Sequence, residues 1–336
     1  MTARNTRESN RSRWHFHPDV DSRMAPYYDW PPNLRATTKR LIRGWSVFDV
    51  RIYVLLLAIA SWLVLGFPET ETSEFSIGWI TQIWMRWFIT ISLVAGGLHL
   101  YFYTFRNQGD IERYELKDLA HDSGKFHFRN QVWDNMFWVL TGTVGFLTFY
   151  EVIIIWAYAN GVAPQISFSE NPILFVALIL ITPGWTAFHF YWQHRAFHIP
   201  ALYRLGHDWH HKNVTVGPWS GAAVHPVENL VWFSAVLILL IVPSHPIHAL
   251  FLMHLQVITA ITTHVGYDSL KLRKQHQFQL GDFFHQLHHR YYDCNYGTSS
   301  GPWDRWFGTY HDGTEEGNRR IQKHRERIRG KHQHSE

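Results

Sequence analysis

Six apolar runs punctuate this chain of 336 residues, at roughly 52 to 67, 84 to 104, 136 to 159, 172 to 192, 227 to 243 and 246 to 264. Several approach the ~20 residues that a helix rising ~1.5 Å per residue needs to cross ~30 Å of hydrocarbon. The first and fifth are short enough to be re-entrant. Only Pro243-Ser-His-Pro246 joins the last two runs, so they form a tight hairpin or a half-membrane pair. The pattern predicts an all-α polytopic membrane bundle, with four full spans plus a helical hairpin or with six spans. Trp79, Trp84, Trp87, Trp133, Trp138 and Trp156 fall near run ends, where interfacial anchors sit.

Charge gives the bundle a direction. Ten Lys and Arg lie in residues 1–51, five in 105–132, three in 193–226 and twelve from 265 onward. Segments 68–83, 160–171 and 243–246 carry none, and only Arg86 lies inside a run. Alternate loops hold the cations, which is the positive-inside pattern of a polytopic protein with both termini cytosolic, in a bacterial inner membrane or the endoplasmic reticulum alike. The net charge of +4 then reflects sidedness, and no nucleic-acid partner is expected. Residues 1–51 read as a cytosolic basic tail, not a signal peptide, because the first apolar run starts late and lacks a small-residue cleavage pattern. Residues 52–135 follow as an N-terminal transmembrane pair with its cytosolic loop, 136–313 as the histidine-bearing region, and 314–336 as a charged C-terminal tail. Glu151, inside the third run, is expensive in lipid and is therefore a candidate for pairing or for lining a substrate path.

The chain has 24 histidines and one cysteine, Cys294, so any metal is bound through nitrogen and oxygen. Three groups repeat a spacing: His194 with His198, His207 with His210 and His211, and His285 with His288 and His289. Positions i, i+3 and i+4 share a helix face, so each group is a claw. All three lie on the predicted cytosolic side. Eight imidazoles exceed what one four-coordinate zinc uses and suit two metals in a cytosolic, histidine-rich helical cap. Neutral nitrogen ligands leave charge on the metals, which favours redox chemistry with oxygen. Asp208, Glu228, Asp282 and Asp293 are placed to accept the second N–H of a ligating ring. His189 is rotated about 140° from the His194 face and is left out of the ligand set. Phe188, Phe190, Tyr191, Trp192 and Phe197 interleave with the first claw, where they line a cleft or simply pack. His15, His17, His121, His127, His311, His324, His332 and His334 read as solvated, and His99, His248 and His254 as hydrogen-bonded between helices.

The three claws, in this order and with a membrane hairpin between the second and third, resemble the fatty acid hydroxylase and sterol desaturase superfamily of integral-membrane non-haem di-iron enzymes. The resemblance runs from about Ile173 to Gly313 and includes Tyr191-Trp192-x-His194-Arg195, His225-Pro-Val-Glu228, Asn295-Tyr-Gly297 and Pro302-Trp-Asp-Arg-Trp-Phe-Gly308. It implies that the eight claw histidines bind two iron ions, with zinc as a substitute in purified protein, and that His264 and then His225 are additional ligands. Ala260 stands where some members place one more histidine. Asn295 is assigned, with the four acids, to support the ligands. Glu151, His189, Tyr191 and Trp192 are the substrate-path candidates. The implied reaction is oxygen-dependent hydroxylation or desaturation of a lipid such as a sterol, sphingoid base, acyl chain or aminolipid.

No Gly-x-Gly-x-x-Gly turn and no His-Pro-Gly-Gly segment are present, so electrons are expected from a separate carrier of the cytochrome b5 or ferredoxin type. Arg319, Arg320, Lys323, Arg325, Arg327, Arg329 and Lys331 offer such a carrier, or anionic lipid, a basic face. Three other readings use the same imidazoles. A zinc-dependent membrane lipid hydrolase needs neither oxygen nor reductant. A transporter places ligands within its spans. A structural site needs fewer ligands.

Overall fold

Helix starts in this protein are written in short polar side chains. Asn33 accepts the N–H of Ala36 and opens α1 (Leu34–Gly44). Asp49 accepts the N–H of Arg51, pairs with its guanidinium, and opens α2 (Val50–Leu65). Asn130 accepts from Val132 and Trp133 and opens the helix that starts at Gln131. Each satisfies backbone donors that a first helical turn leaves orphaned. The structure, a computed structural model, describes residues 14–18, 26–28, 30–31, 33–45, 49–66, 68–272, 275–299 and 301–333. His334 lies outside them, as do the side chains of His324, Arg327, Arg329, Lys331 and His332.

The remaining long helices are α3 (Ile77–His99, extended by a π turn Leu100–Thr104), α4 (Gln131–Ala159, with a π turn Val139–Thr143) and α5 (Pro172–Phe197). An irregular helix α6 (200–211) follows, then α7 (Pro226–Leu240), α8 (Pro246–Thr263), α9 (Phe283–Tyr291) and α10 (Glu315–Gln333). A small antiparallel hairpin of β1 (Ser269–Leu272) and β2 (Gln275–Gln279) with a bulge at Leu270/Lys271 is the departure from an all-helical reading. Helices α3, α4, α5 and α8 are long and apolar enough to cross a membrane. Helix α8 is the central one, 78% buried over its most apolar stretch, whereas α5 is only 17% buried and presents most of its surface outward.

The α7–α8 hairpin reaches the far side of the bundle. Its turn residue Ser244 exchanges backbone bonds with Pro164 and Ile166, and its hydroxyl meets that of Tyr158 at 2.7 Å. The turn therefore lies level with the cation-free loop between α4 and α5. Only fifteen residues of α7 cover this distance because its second half, Ser234–Leu240, winds as a 3-10 helix. That form rises ~2.0 Å per residue against ~1.5 Å, which lengthens the segment to about 26 Å. The change of winding frees carbonyls, and three neighbouring helices supply donors. Tyr150 of α4 binds the carbonyl of Leu230, Trp185 of α5 that of Ala235, and Gln256 of α8 that of Trp232. In lipid such groups have no water to turn to.

Two expectations change here. Trp79 and Trp87 sit near run ends but are buried in the helix bundle, not at an interface. Glu151 lines no path: it is 1% exposed, ion-paired with Arg86 of α3 and bonded by the Trp87 indole at 2.7 Å. Burying either charge alone costs far more than burying both in contact. Glu151→Leu is expected to lower stability by about 3–5 kcal/mol, and Arg86→Met/Glu151→Leu to recover most of the loss. Thermal unfolding in detergent measures both.

Candidate metal centre

The three claws come from elements of different kind. His194 lies in the last turn of α5, and His198 caps its end. The second claw departs from a regular helix: Tyr203–His207 is a π turn that passes into the α turn Asp208–His211. The third claw fills α9, whose start is capped by Asp282 accepting from Phe284 at 3.0 Å. His264 is the residue that ends α8.

Nine imidazoles meet in two adjoining groups. His194, His198, His207, His211 and His288 form one, and His210, His264, His285 and His289 the other, with the ring nitrogens of each group within 4.8 Å of one another. The spacing explains the division. Each i, i+4 pair enters one group together, while the i+3 member of the second and third claws, His210 and His288, crosses to the other. A helix thereby ties the groups to each other, and the rings of His211 and His289 are 5.0 Å apart across the boundary.

Outer nitrogens fix which atom faces inward. His194 Nδ1 donates to the carbonyl of Tyr296 at 2.7 Å, His288 Nδ1 to that of Cys294 at 2.6 Å, and His264 Nδ1 to that of Ala260 at 2.7 Å. His207 Nδ1 donates to Glu228 at 2.9 Å. Carbonyls and carboxylates only accept, so the proton stays on Nδ1 and the Nε2 lone pair points inward. His207 and His211 Nε2 each lie 3.1 Å from His198 Nε2, His288 Nε2 lies 3.1 Å from His211 Nε2, and His289 Nε2 lies 2.9 Å from His264 Nε2. Lone pairs so close repel unless a cation lies between them. Nitrogens ~2.1 Å from one metal at right angles are about 3.0 Å apart, so the donor set fits metal ions. Burial also holds His198, His210, His211, His285, His288 and His289 well below the usual histidine range, and His264 at about 4. They are neutral at pH 7, the state that ligates.

Other sequence candidates lie elsewhere. His225 belongs to neither group: its Nδ1 caps α7 by accepting from Val227, and its ring stands edge-on to Trp209. Asp208 is exposed and bonds no claw ring, because the π turn rotates it outward. Asp282 binds the backbone of α9, not an imidazole, and burial raises its carboxyl to about 6. Asp293 pairs with Arg325 at 2.8 Å. Asn295 braces the chain, bonding Phe284 and His311 backbone atoms. His311 itself is buried against Tyr291, not solvated. Of the four acids, Glu228 alone touches a claw ring. His248 does bond another helix, through the carbonyl of Phe175.

Residues to which the sequence motifs assigned no role hold this geometry. Asp304 accepts from the N–H groups of Tyr296 and Gly297 and from the Thr309 hydroxyl, folding the loop so that the Tyr296 carbonyl reaches His194. Gly297 keeps the loop close, since a Cβ there would press on the side chains of Asp304 and Tyr191 at 3.1 Å. Gly221 lets the chain pass α8 beside His264, where a Cβ would lie 2.1 Å from the Ala260 carbonyl oxygen. Gln131, Asp134 and Asn135, one face at the start of α4, hold Lys212 and Asn213 just past the second claw. Their i, i+3, i+4 polar spacing was the available signal.

A cavity of about 640 Å³ opens onto the centre, lined by His194, His207, His210, His264 and His285. Its walls are Leu180, Pro183, Ala187, Phe190, Trp232 and Leu255, and α1 and α2 close it through Leu41, Trp45 and Val50. Leu41, Leu180 and Ile181 are more than half exposed, so the cavity has a mouth on the lipid-facing surface. Tyr191, Trp192 and His189 are not in its wall. Tyr191 packs on Trp303, Trp192 on Phe307, and His189 meets Ser234.

Residues 176–309 match the fatty acid hydroxylase family, a stretch that holds all nine clustered histidines and Asp304. That stretch, less than half of the chain, is similar to the fatty acid hydroxylase and sterol desaturase superfamily. Similar proteins include Delta(7)-sterol 5(6)-desaturases. That of Aspergillus fumigatus is 28% identical over 162 residues, 47% of this chain and 44% of the relative. That of Nicotiana tabacum is 30% identical over 43% and 52% of the two chains, and that of Saccharomyces cerevisiae 31% identical over 36% and 32%. The chain thus covers about half or less of the length of these relatives. No solved structure matches it.

Two metal ions per chain are expected by elemental analysis of gently purified protein, falling toward one in His285→Ala or His288→Ala and staying at two in His225→Ala. Metal-free protein should lose stability as pH falls. The folded state holds His264 at about 4 against an ordinary 6.5, so the unfolded chain takes up protons first. The loss sets in near 6.5 and grows toward 4, and melting temperature against pH measures it.

Proposed function

We propose that this chain is a membrane-bound oxygenase that hydroxylates or desaturates a lipid at a di-iron centre. The observation that carries the reading is the pair of imidazole groups at the inner end of a lipid-facing apolar cavity. Two iron ions held by neutral nitrogen donors supply, with dioxygen and reductant, an oxidant able to take hydrogen from an unactivated carbon. The nine clustered histidines hold the ions, and Glu228 and the carbonyls of Tyr296, Cys294 and Ala260 keep the rings in the ligating tautomer. Phe190, Trp232 and Leu255 exclude water and guide an apolar body that arrives sideways from the bilayer. The relatives' names identify sterol desaturases, which supports a sterol-sized substrate.

Cation placement supports a cytosolic site with both termini on that side. Electrons then come from a soluble or membrane-tethered carrier of the cytochrome b5 or ferredoxin type. Helix α10, with Arg319, Arg320 and Lys323, is a suitable docking face for an acidic carrier: Arg325 anchors it to Asp293 and to the carbonyl of Tyr291, at the end of the third claw.

Lipid extracts of a host with and without the gene should differ by a species heavier by one oxygen or lighter by two hydrogens. His288→Ala should abolish that species with expression intact. Glu228→Ala should lower turnover or metal affinity about 10–100-fold. Zinc-loaded protein that turns lipid over without oxygen would overturn the reading in favour of hydrolysis.

A further inference from the structure

Gln256 is the odd member of the cavity wall. It lies in the middle of α8, 6% exposed, with Nε2 donating to the Trp232 carbonyl at 2.8 Å. That bond fixes the amide, because a carbonyl accepts only from the NH2 end. Oε1 is covered and has no partner among the described residues, on a side chain that forms part of the cavity wall. An unsatisfied carbonyl in a span is costly, and leucine would fill the same wall without the cost. An acceptor so placed is complementary to a donor carried in by a ligand.

Position adds a ruler. Eight residues separate Gln256 from His264 on α8, about 12 Å at ~1.5 Å per residue. Thr259, Ala260 and Thr263 line the cavity between them. Gln193 Oε1 is also buried without a partner, but Gln193 adjoins His194 and so stands at the level of the metals.

We propose that Gln256 determines specificity, its Oε1 accepting a hydrogen bond from a hydroxyl group on the lipid substrate. The bond holds that hydroxyl about 12 Å from the histidine groups, measured along α8, and so selects which carbon of the lipid is oxidised. This deepens the oxygenase reading and rests on it for the word substrate, but hydroxyl recognition itself requires no turnover.

The test uses the full chain with its metals in phosphatidylcholine nanodiscs, under argon and without reductant. Binding is measured for two matched pairs, cholesterol with 5α-cholestane and hexadecanol with hexadecane, each at equal mole fraction in the bilayer. Wild type should prefer the alcohol by about ten-fold in at least one pair. Gln256→Leu and Gln256→Met, with metal content retained, should bind both members of that pair equally, while Gln193→Leu keeps the preference. A preference that survives in either Gln256 variant, that follows Gln193 instead, or that is missing from wild type in both pairs overturns the proposal. Oxygen-dependent turnover is assayed separately: its absence alongside a Gln256-dependent preference would sink the oxygenase reading and leave hydroxyl recognition standing.

Discussion

Nine clustered imidazoles, all buried except the half-buried His198, can share one pocket only while they carry no charge. Protonating His211 or His289 would place a cation in a desolvated site beside other imidazoles, and burial with mutual repulsion pushes their titration down. Neutrality then creates a second requirement. Converging lone pairs repel, and cations held between them would relieve that repulsion. Much of the surrounding fold can be read as the apparatus that keeps these rings neutral, oriented and close.

The apparatus is mostly backbone. Three of the ring N–H groups go to main-chain carbonyls and one to Glu228. The carbonyls are aimed by residues that never touch a ring. Asp304 gathers the loop that offers the Tyr296 carbonyl, Asn295 ties that loop to the end region at His311, and Gly221 allows close approach to α8. The same economy governs the membrane portion. Helix α7 winds more tightly into a longer 3-10 form to reach across the bundle, and Tyr150, Trp185 and Gln256 satisfy the carbonyls involved. Placement of the histidine groups and shape of the cavity are therefore coupled through α8, which carries Gln256 and ends at His264.

Periodicity made the claws legible, since i, i+3 and i+4 spacing needs no knowledge of the partner helices, and loop charge gave the predicted sidedness for the same reason. His264 was reachable only through family resemblance, because a lone histidine at a helix end carries no spacing signal. His225 failed on the same ground: its motif, His-Pro at a helix start, serves equally to cap the helix, and in the structure it does so. Asp208 failed because the sequence around it looks helical while the chain takes a π turn.

The linear pattern by itself determined the apolar spans, the short fifth run, the charge asymmetry and the three claws, because each depends on residues close in sequence. Tertiary structure alone decided how the imidazoles divide into two groups, which acid reaches a ring, and that Glu151 pairs with Arg86 in the bundle. It also decided which residues of α5 line the cavity. These outcomes depend on distances between segments far apart along the chain, and on a few non-standard turns whose hydrogen bonds are satisfied by other helices.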